Sequence, residues 1–252
     1  MPDHCLELKL YTVFSMINSK WAKLSLAAAV VSGATLGAVV TPAQAALTID
    51  LRHEWVDVER AHKDRVMISD RFANGLGYSV ETKAKSGGDS KDTAYSEMES
   101  NGSEFSLTYQ YKLNPKFIIQ PGMTIEFGDG KAIYKPNLRF QYNFDNGMYA
   151  AFRYRYEYTR DNDGVTTDEH VNRYEGWLGY KINGWGFEAN YIWRDSNKIR
   201  FDNKETDYEY DFKVSYAITP HWEPFVQVGN VKYTSTSDQR QTRYRIGIKY
   251  KY

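Results

Sequence analysis

A transmembrane antiparallel β-barrel of twelve strands, an all-β fold, is predicted from three observations. Apolar and polar residues alternate with period two in long runs along most of the chain. Short turn signals join the runs at one end, while the connectors at the other end are longer and more polar. The apolar positions are crowded with aromatic residues, 21 Tyr beside 12 Phe and 6 Trp. Period two marks a strand, because successive side chains point to opposite faces.

The N-terminus sets the context. Lys20 and Lys23 precede an apolar run from Leu24 to Val40, followed by Thr41-Pro42-Ala43-Gln44-Ala45. A positive segment, an apolar segment and a small-x-small site make residues 1–45 a secretory signal peptide, cut after Ala45. Met1–Ser15 lack signal character, which leaves Met16 as a candidate initiator. The only cysteine, Cys5, falls in the leader, so the mature segment 46–252 carries no disulfide. Of 32 basic and 32 acidic residues, 29 and 30 remain after the leader. No apolar run of helical spanning length is left, so strands must do the crossing.

The strands are expected at 46–57, 62–72, 76–86, 103–113, 117–128, 132–144, 148–160, 170–182, 186–199, 206–218, 223–235 and 242–252. In the first, Ile49, Leu51, His53 and Trp55 alternate with Asp50, Arg52 and Glu54; in the last, Tyr244, Ile246, Ile248 and Tyr250 alternate with Arg243, Arg245, Lys249 and Lys251. Asn74-Gly75, Asn114-Pro115, Asp129-Gly130, Asp145-Asn146-Gly147, Asn183-Gly184 and Thr219-Pro220 supply turn chemistry. Ser86–Gly102 and Asp161–Glu169 are longer, polar connectors. Short periplasmic turns and longer extracellular loops are the layout of an outer-membrane barrel. Runs of this length exceed the soluble-strand mode of about 5–6 residues and suffice for a tilted bilayer crossing of about 9–11. Closure removes the sheet edges that lipid could not hydrogen-bond. Tyr154, Tyr156 and Tyr158 fall on the apolar face and read as interfacial girdle.

The polar faces then line a lumen. Its expected basic residues are Arg52, Arg65, Lys83, Lys85, Lys112, Arg139, Arg153, Arg155, Arg173, Arg194, Lys213, Arg243, Arg245 and Lys249. Asp50, Glu54, Glu81, Glu104, Glu126, Glu175, Glu188, Glu209 and Asp211 are the expected acidic ones. Arginine grips carboxylates bidentately, and tracks of Arg and Lys favour anion permeation. The competing reading is a filled interior in which every charge is paired off, giving a structural or adhesive surface barrel. Catalysis is disfavoured: His53 and His170 face outward or lie near loops, His221 sits in a turn, and no Ser/His/acid set shares an inward face. No metal or cofactor motif stands out; Asp161-Asn162-Asp163-Gly164 reads as a solvated loop.

The stretches TIDLRHEWVD (Thr48–Asp57), HKDRVMISDRFANGLGYSVETKAKSGGD (His62–Asp89), NGSEFSLTYQYKLN (Asn101–Asn114), FRYRYEY (Phe152–Tyr158), NRYEGWLGYKI (Asn172–Ile182), TDYEYDFKVSYAIT (Thr206–Thr219) and TRYRIGIKYKY (Thr242–Tyr252) resemble the oligogalacturonate-specific porins, the KdgM family. The resemblance spans essentially the whole mature chain. It implies a monomeric twelve-stranded barrel in the outer membrane that passes anionic oligosaccharides, chiefly oligogalacturonates from pectin breakdown. A related branch passes sialic acid. It further implies insertion by the barrel assembly machinery, with the aromatic Tyr252 completing the last strand, no cofactor and no nucleic-acid partner. The substrate-binding lining it implies consists of Arg139, Arg153, Arg155, Arg173, Arg243 and Arg245, with Arg52, Arg65 and Lys83 nearby; alternation adds Arg194 and Lys249.

Overall fold

The computed structural model describes residues 47–128, 130–161 and 168–252. The leader with its cleavage site, and most of the Asp161–Gly164 stretch, lie outside the described residues. The strands are β1 (Thr48–Val56), β2 (His62–Arg71), β3 (Leu76–Lys85), β4 (Glu99–Tyr109, continued by Tyr111–Lys112), β5 (Phe117–Gly128), β6 (Lys131–Asn143), β7 (Met148–Asp161), β8 (Glu169–Ile182), β9 (Trp185–Ser196), β10 (Thr206–Tyr216), β11 (Trp222–Lys232) and β12 (Arg240–Lys251). Each pairs antiparallel with its neighbours in sequence, and β1 pairs with β12 from Thr48↔Lys251 to Val56↔Arg243, which closes the barrel.

β4 is one strand despite its interruption at Gln110. Thr108↔Gly122 and Tyr111↔Ile119 keep the same register across the gap. The ladder breaks there because Pro121, between those partners on β5, has no N–H to donate. Gln110 instead donates its backbone N–H to the Gly75 carbonyl at 2.8 Å.

The boundary that differs most from expectation is the start of β4, at Glu99 instead of residue 103. The register shifts between Thr82 and Ala84 on β3, and Gly102 opposite takes φ of 92°. A bulge carrying a glycine in this conformation lets a strand continue through a polar, unalternating stretch, and Glu99-Ser100-Asn101 hides the strand from a period-two reading for that reason. β9 ends at Ser196, short of the expected 199, where the ladder gives way to a hairpin-like loop bridged by Phe201↔Lys204.

Segments 72–75, 113–116, 144–147, 183–184 and 217–221 join strands at one end, and among the described residues the other end carries 57–61, 86–98, 197–205 and 233–239. The outer surface is apolar: Leu178, Tyr191, Phe212, Val226 and Ile246 are exposed, and rings pair across strands, Trp55 on Tyr244 at 5.5 Å and Trp222 on Tyr250 at 4.7 Å. In a sheet with only one layer, exposed apolar side chains of this density meet lipid. Buried charged residues lie on the other side: Asp50, Glu54, Lys135, Arg155, Glu175, Arg194, Asp207 and Asp211 are each less than a tenth exposed.

Candidate functional site: a cation-rich lumen

Alternation on each strand sends one residue in two into the lumen, and register places these residues beside each other. Arg139↔Arg153↔Glu175 form one such row across β6, β7 and β8, and Arg52↔Arg65 another across β1 and β2. The central cavity encloses about 560 Å³. Eleven of the expected basic residues border it: Arg52, Arg65, Lys83, Arg153, Arg155, Arg173, Arg194, Lys213, Arg243, Arg245 and Lys249. Arg139 does not; it lies in the same inward row, with its guanidinium 5.3 Å from the Trp177 ring centroid. Lys112 is exposed in the two-residue end of β4 beside the 72–75 turn, and Lys85 pairs with Glu99 at 3.6 Å near the loop side.

The charges form clusters. Glu175, 1% exposed, is shared by Arg153 Nη2 at 2.5 Å, Arg173 Nε at 2.9 Å and Arg155 Nε at 3.8 Å, and Arg173 also meets Glu157 at 3.2 Å. Arg173 Nε has the distance of an ion pair but makes no aligned hydrogen bond. Arg194 and Arg243 flank Glu209 at 2.9 and 3.4 Å, and Arg243 Nη2 donates to both oxygens of Asp211. Lys83 bridges Glu104 and Glu126 at 2.7 and 2.6 Å, and Lys135 donates to the same Glu126 from the other side. Arg65 holds Asp50 at 2.8 Å, Arg245 holds Glu54 at 2.6 Å, and Lys249 meets Glu223 at 3.6 Å.

Two of the expected inward arginines have no carboxylate within 4 Å among the described residues. Arg52 is flanked on β1 by Asp50 and Glu54, but Arg65 and Arg245 occupy those, and the buried Arg52 Nε has no hydrogen-bond partner within the protein. Arg139 makes the ring contact with Trp177 and no ion pair within 4 Å among the described residues. Among the described residues the cavity is lined by thirteen Lys and Arg and nine Asp and Glu, an excess of four positive charges. The whole-chain balance of 32 against 32 conceals it, because the two signs are distributed unevenly between lumen and loops.

Several lining residues escaped the sequence reading. Lys135 lies within the expected 132–144 strand and shares parity with Arg139 on β6, so alternation alone could have placed it on the lumen face; Tyr134↔Tyr158 and Asn137↔Arg155 carry one register through Pro136. Trp177 shares parity with Arg173 and Glu175 and lines the cavity. Phe225 and Ile192 also face inward, each 5% exposed. The histidines lie elsewhere: His53 binds Asp64 at 2.8 Å and His62 at 3.0 Å on the outer surface, His170 meets the Tyr156 hydroxyl at 2.5 Å, and His221 sits in the 217–221 turn against the Lys251 carbonyl.

A closed barrel with an apolar, aromatic outer surface and a charged, open interior is a porin of the outer membrane. The model of a family described as oligogalacturonate-specific porin protein (KdgM) matches residues 39–252, and the chain belongs to that family. YiiY of Salmonella typhimurium, described as uncharacterized, is 40% identical over 213 residues, 84% of this chain and 92% of its own length. The oligogalacturonate-specific porin KdgM of Dickeya dadantii is 38% identical over 222 residues, 82% of this chain and 92% of its own. The N-acetylneuraminic acid outer membrane channel protein NanC of Escherichia coli is 24% identical over 220 residues, 82% of this chain and 90% of its own. Among solved structures, a KdgM porin in complex with disordered oligogalacturonate is 30% identical with TM-score 0.62, covering 81% of this chain and 99% of that one. The NanC porin, at 21% identity and TM-score 0.69 over 81% of this chain and all of its own, shares the fold. These characterized relatives are channels.

Proposed function

We propose that this porin lets anionic oligosaccharides, oligogalacturonates foremost, diffuse passively through a lumen whose lining cations are Arg52, Arg65, Lys83, Arg139, Arg153, Arg155, Arg173, Arg194, Arg243, Arg245 and Lys249. The observation that carries the reading is the pair of guanidiniums without carboxylates, Arg52 on β1 and Arg139 on β6, on far sides of a twelve-strand wall. A uronate carboxylate arriving at either meets donors that no internal pair must first release. At the other nine residues it competes with a resident Asp or Glu, which keeps each hold weak. Weak, repeated holds let a polyanion move on, whereas one tight site would trap it. The name of the relative from Dickeya dadantii supports the same cargo; a sialic-acid-type cargo is the alternative. No cofactor or energy source enters the scheme, since the concentration gradient drives flux. The working unit is a monomer, inserted through the barrel assembly machinery after removal of a leader at Ala45.

The test is reconstitution of the mature protein in a planar bilayer. A KCl gradient should give an anion-selective reversal potential, and trigalacturonate should block the current more strongly than N-acetylneuraminate. Cation selectivity without block removes the proposal. A barrel that conducts nothing favours the filled, structural reading.

A further inference from the structure

One lumen residue does not fit a wall of charges. β8 points Arg173, Glu175 and Trp177 inward and the exposed Tyr174 and Leu178 outward, so alternation assigns an indole to the polar face. Phe225, also inward, is 5% exposed and packs against the wall, whereas Trp177 remains partly open and borders the cavity.

Its neighbours are specific. The guanidiniums of Arg139 and Arg153 lie 5.3 and 5.1 Å from the ring centroid, within cation–π range. Arg153 commits its Nε and Nη2 to Glu175 at 3.1 and 2.5 Å, whereas Arg139 has no carboxylate within 4 Å among the described residues. Asn190 is the register partner of Trp177 on β9; its amide nitrogen donates to the Gly176 carbonyl at 2.9 Å, and no bond to its carbonyl oxygen is present among the described residues.

A flat apolar ring, a guanidinium with open donors and an amide acceptor thus meet at one level of the lumen. A hexuronate ring presents the complementary set: a C–H face, a carboxylate at its edge and hydroxyl donors. An inorganic or acyclic anion presents only the charge. We infer that Trp177 is a stacking station which, with Arg139, holds one pyranose uronate unit and gives the channel preference for sugar acids over other anions of equal charge. Trp177 binds the ring face, Arg139 the carboxylate, and Asn190 a hydroxyl. This rests on the proposed oligosaccharide cargo and adds a discrimination that lumen charge alone cannot make, since charge does not distinguish a sugar acid from another carboxylate.

The experiment compares the mature wild type with Trp177→Leu and Trp177→Phe in planar bilayers. Block by trigalacturonate is measured beside block by tricarballylate, an acyclic tricarboxylate of equal charge. In the wild type trigalacturonate should block with the longer residence. Trp177→Leu should shorten that residence roughly tenfold, the factor that about 1.4 kcal/mol represents, and leave tricarballylate block and reversal potential unchanged. Trp177→Phe, which keeps an aromatic face, should retain most of the residence. Equal trigalacturonate residence in wild type and Trp177→Leu overturns the station and leaves the oligosaccharide channel standing. Equal loss of both blockers also overturns it, because a distorted wall would weaken any anion. A wild type that trigalacturonate does not block overturns the cargo, and the station with it.

Discussion

Removal of the two guanidiniums that lack carboxylates, by the double substitution Arg52→Gln with Arg139→Gln, isolates permeation from stability. Neither holds an internal ion pair, so their loss strands no buried carboxylate. Of the two, only Arg52 lies in the cavity lining, so the excess of four counted there falls to three, while Arg139→Gln removes a further charge from the inward row beside it. A carboxylate about 4 Å from a guanidinium gains about 1 kcal/mol in a water-like dielectric and about 4 kcal/mol at an effective dielectric of 20. With the lower figure for a hydrated lumen, each substitution should weaken trigalacturonate block about fivefold, and the two together about thirtyfold. The sites are five strands apart, so the effects should add. Reversal potential in a KCl gradient should fall toward zero at low ionic strength. The difference should shrink near 1 M salt, where the Debye length is about 3 Å. Thermal unfolding should be unchanged. Arg243→Gln gives a contrast: it removes one charge but leaves Asp211 with no other cation within 4 Å among the described residues, so stability should drop with selectivity. Wild-type block and reversal potential in the double variant would refute the idea that free lumen cations drive permeation.

Other outcomes follow from the same geometry. Arg153→Ser with Arg155→Ser should lower anion selectivity while the barrel stays folded, because Glu175 keeps Arg173 at 2.9 Å; an unchanged reversal potential would count against that part of the lining. Lys135→Met leaves Glu104 and Glu126 to share Lys83, and urea unfolding should show a loss of about 3 kcal/mol, much of it recovered by adding Glu126→Gln. Ile246→Arg places a charge on an outer position that is 61% exposed and should destabilise the membrane-inserted barrel by about 2–4 kcal/mol if this site sits near the bilayer centre, with reversal potential unaltered. Little change in unfolding would move Ile246 to the interface. Amino-terminal sequencing of protein taken from the outer membrane should begin at Ala46, and retention of Leu24–Val40 would refute the leader.

Much of this was legible in the chain itself. Period two fixed which residues of each strand share a face, so Arg153 and Arg155 could be assigned to one side and Tyr154 and Tyr156 to the other without coordinates. The turn residues set the number of strands, and an even number with lipid-type aromatic crowding left closure as the only arrangement without an open edge. Failures came where period two was interrupted. The bulge at Gly102 concealed the first residues of β4. Trp177 was assignable by parity, yet a search for charge passes over an indole.

The strand sequence therefore determines sidedness, and it does so because a pleated backbone has only two faces. It does not determine partners. Which carboxylate neutralises which guanidinium depends on cross-strand register, on the slant between neighbouring strands and on the reach of long side chains. Asp50 and Glu54 sit beside Arg52 in the sequence but bind Arg65 and Arg245 in space. Only the assembled sheet decides that Arg52 and Arg139 are left without an ion pair, since a charge is free or paired by virtue of what the adjacent strands bring within about 4 Å of it.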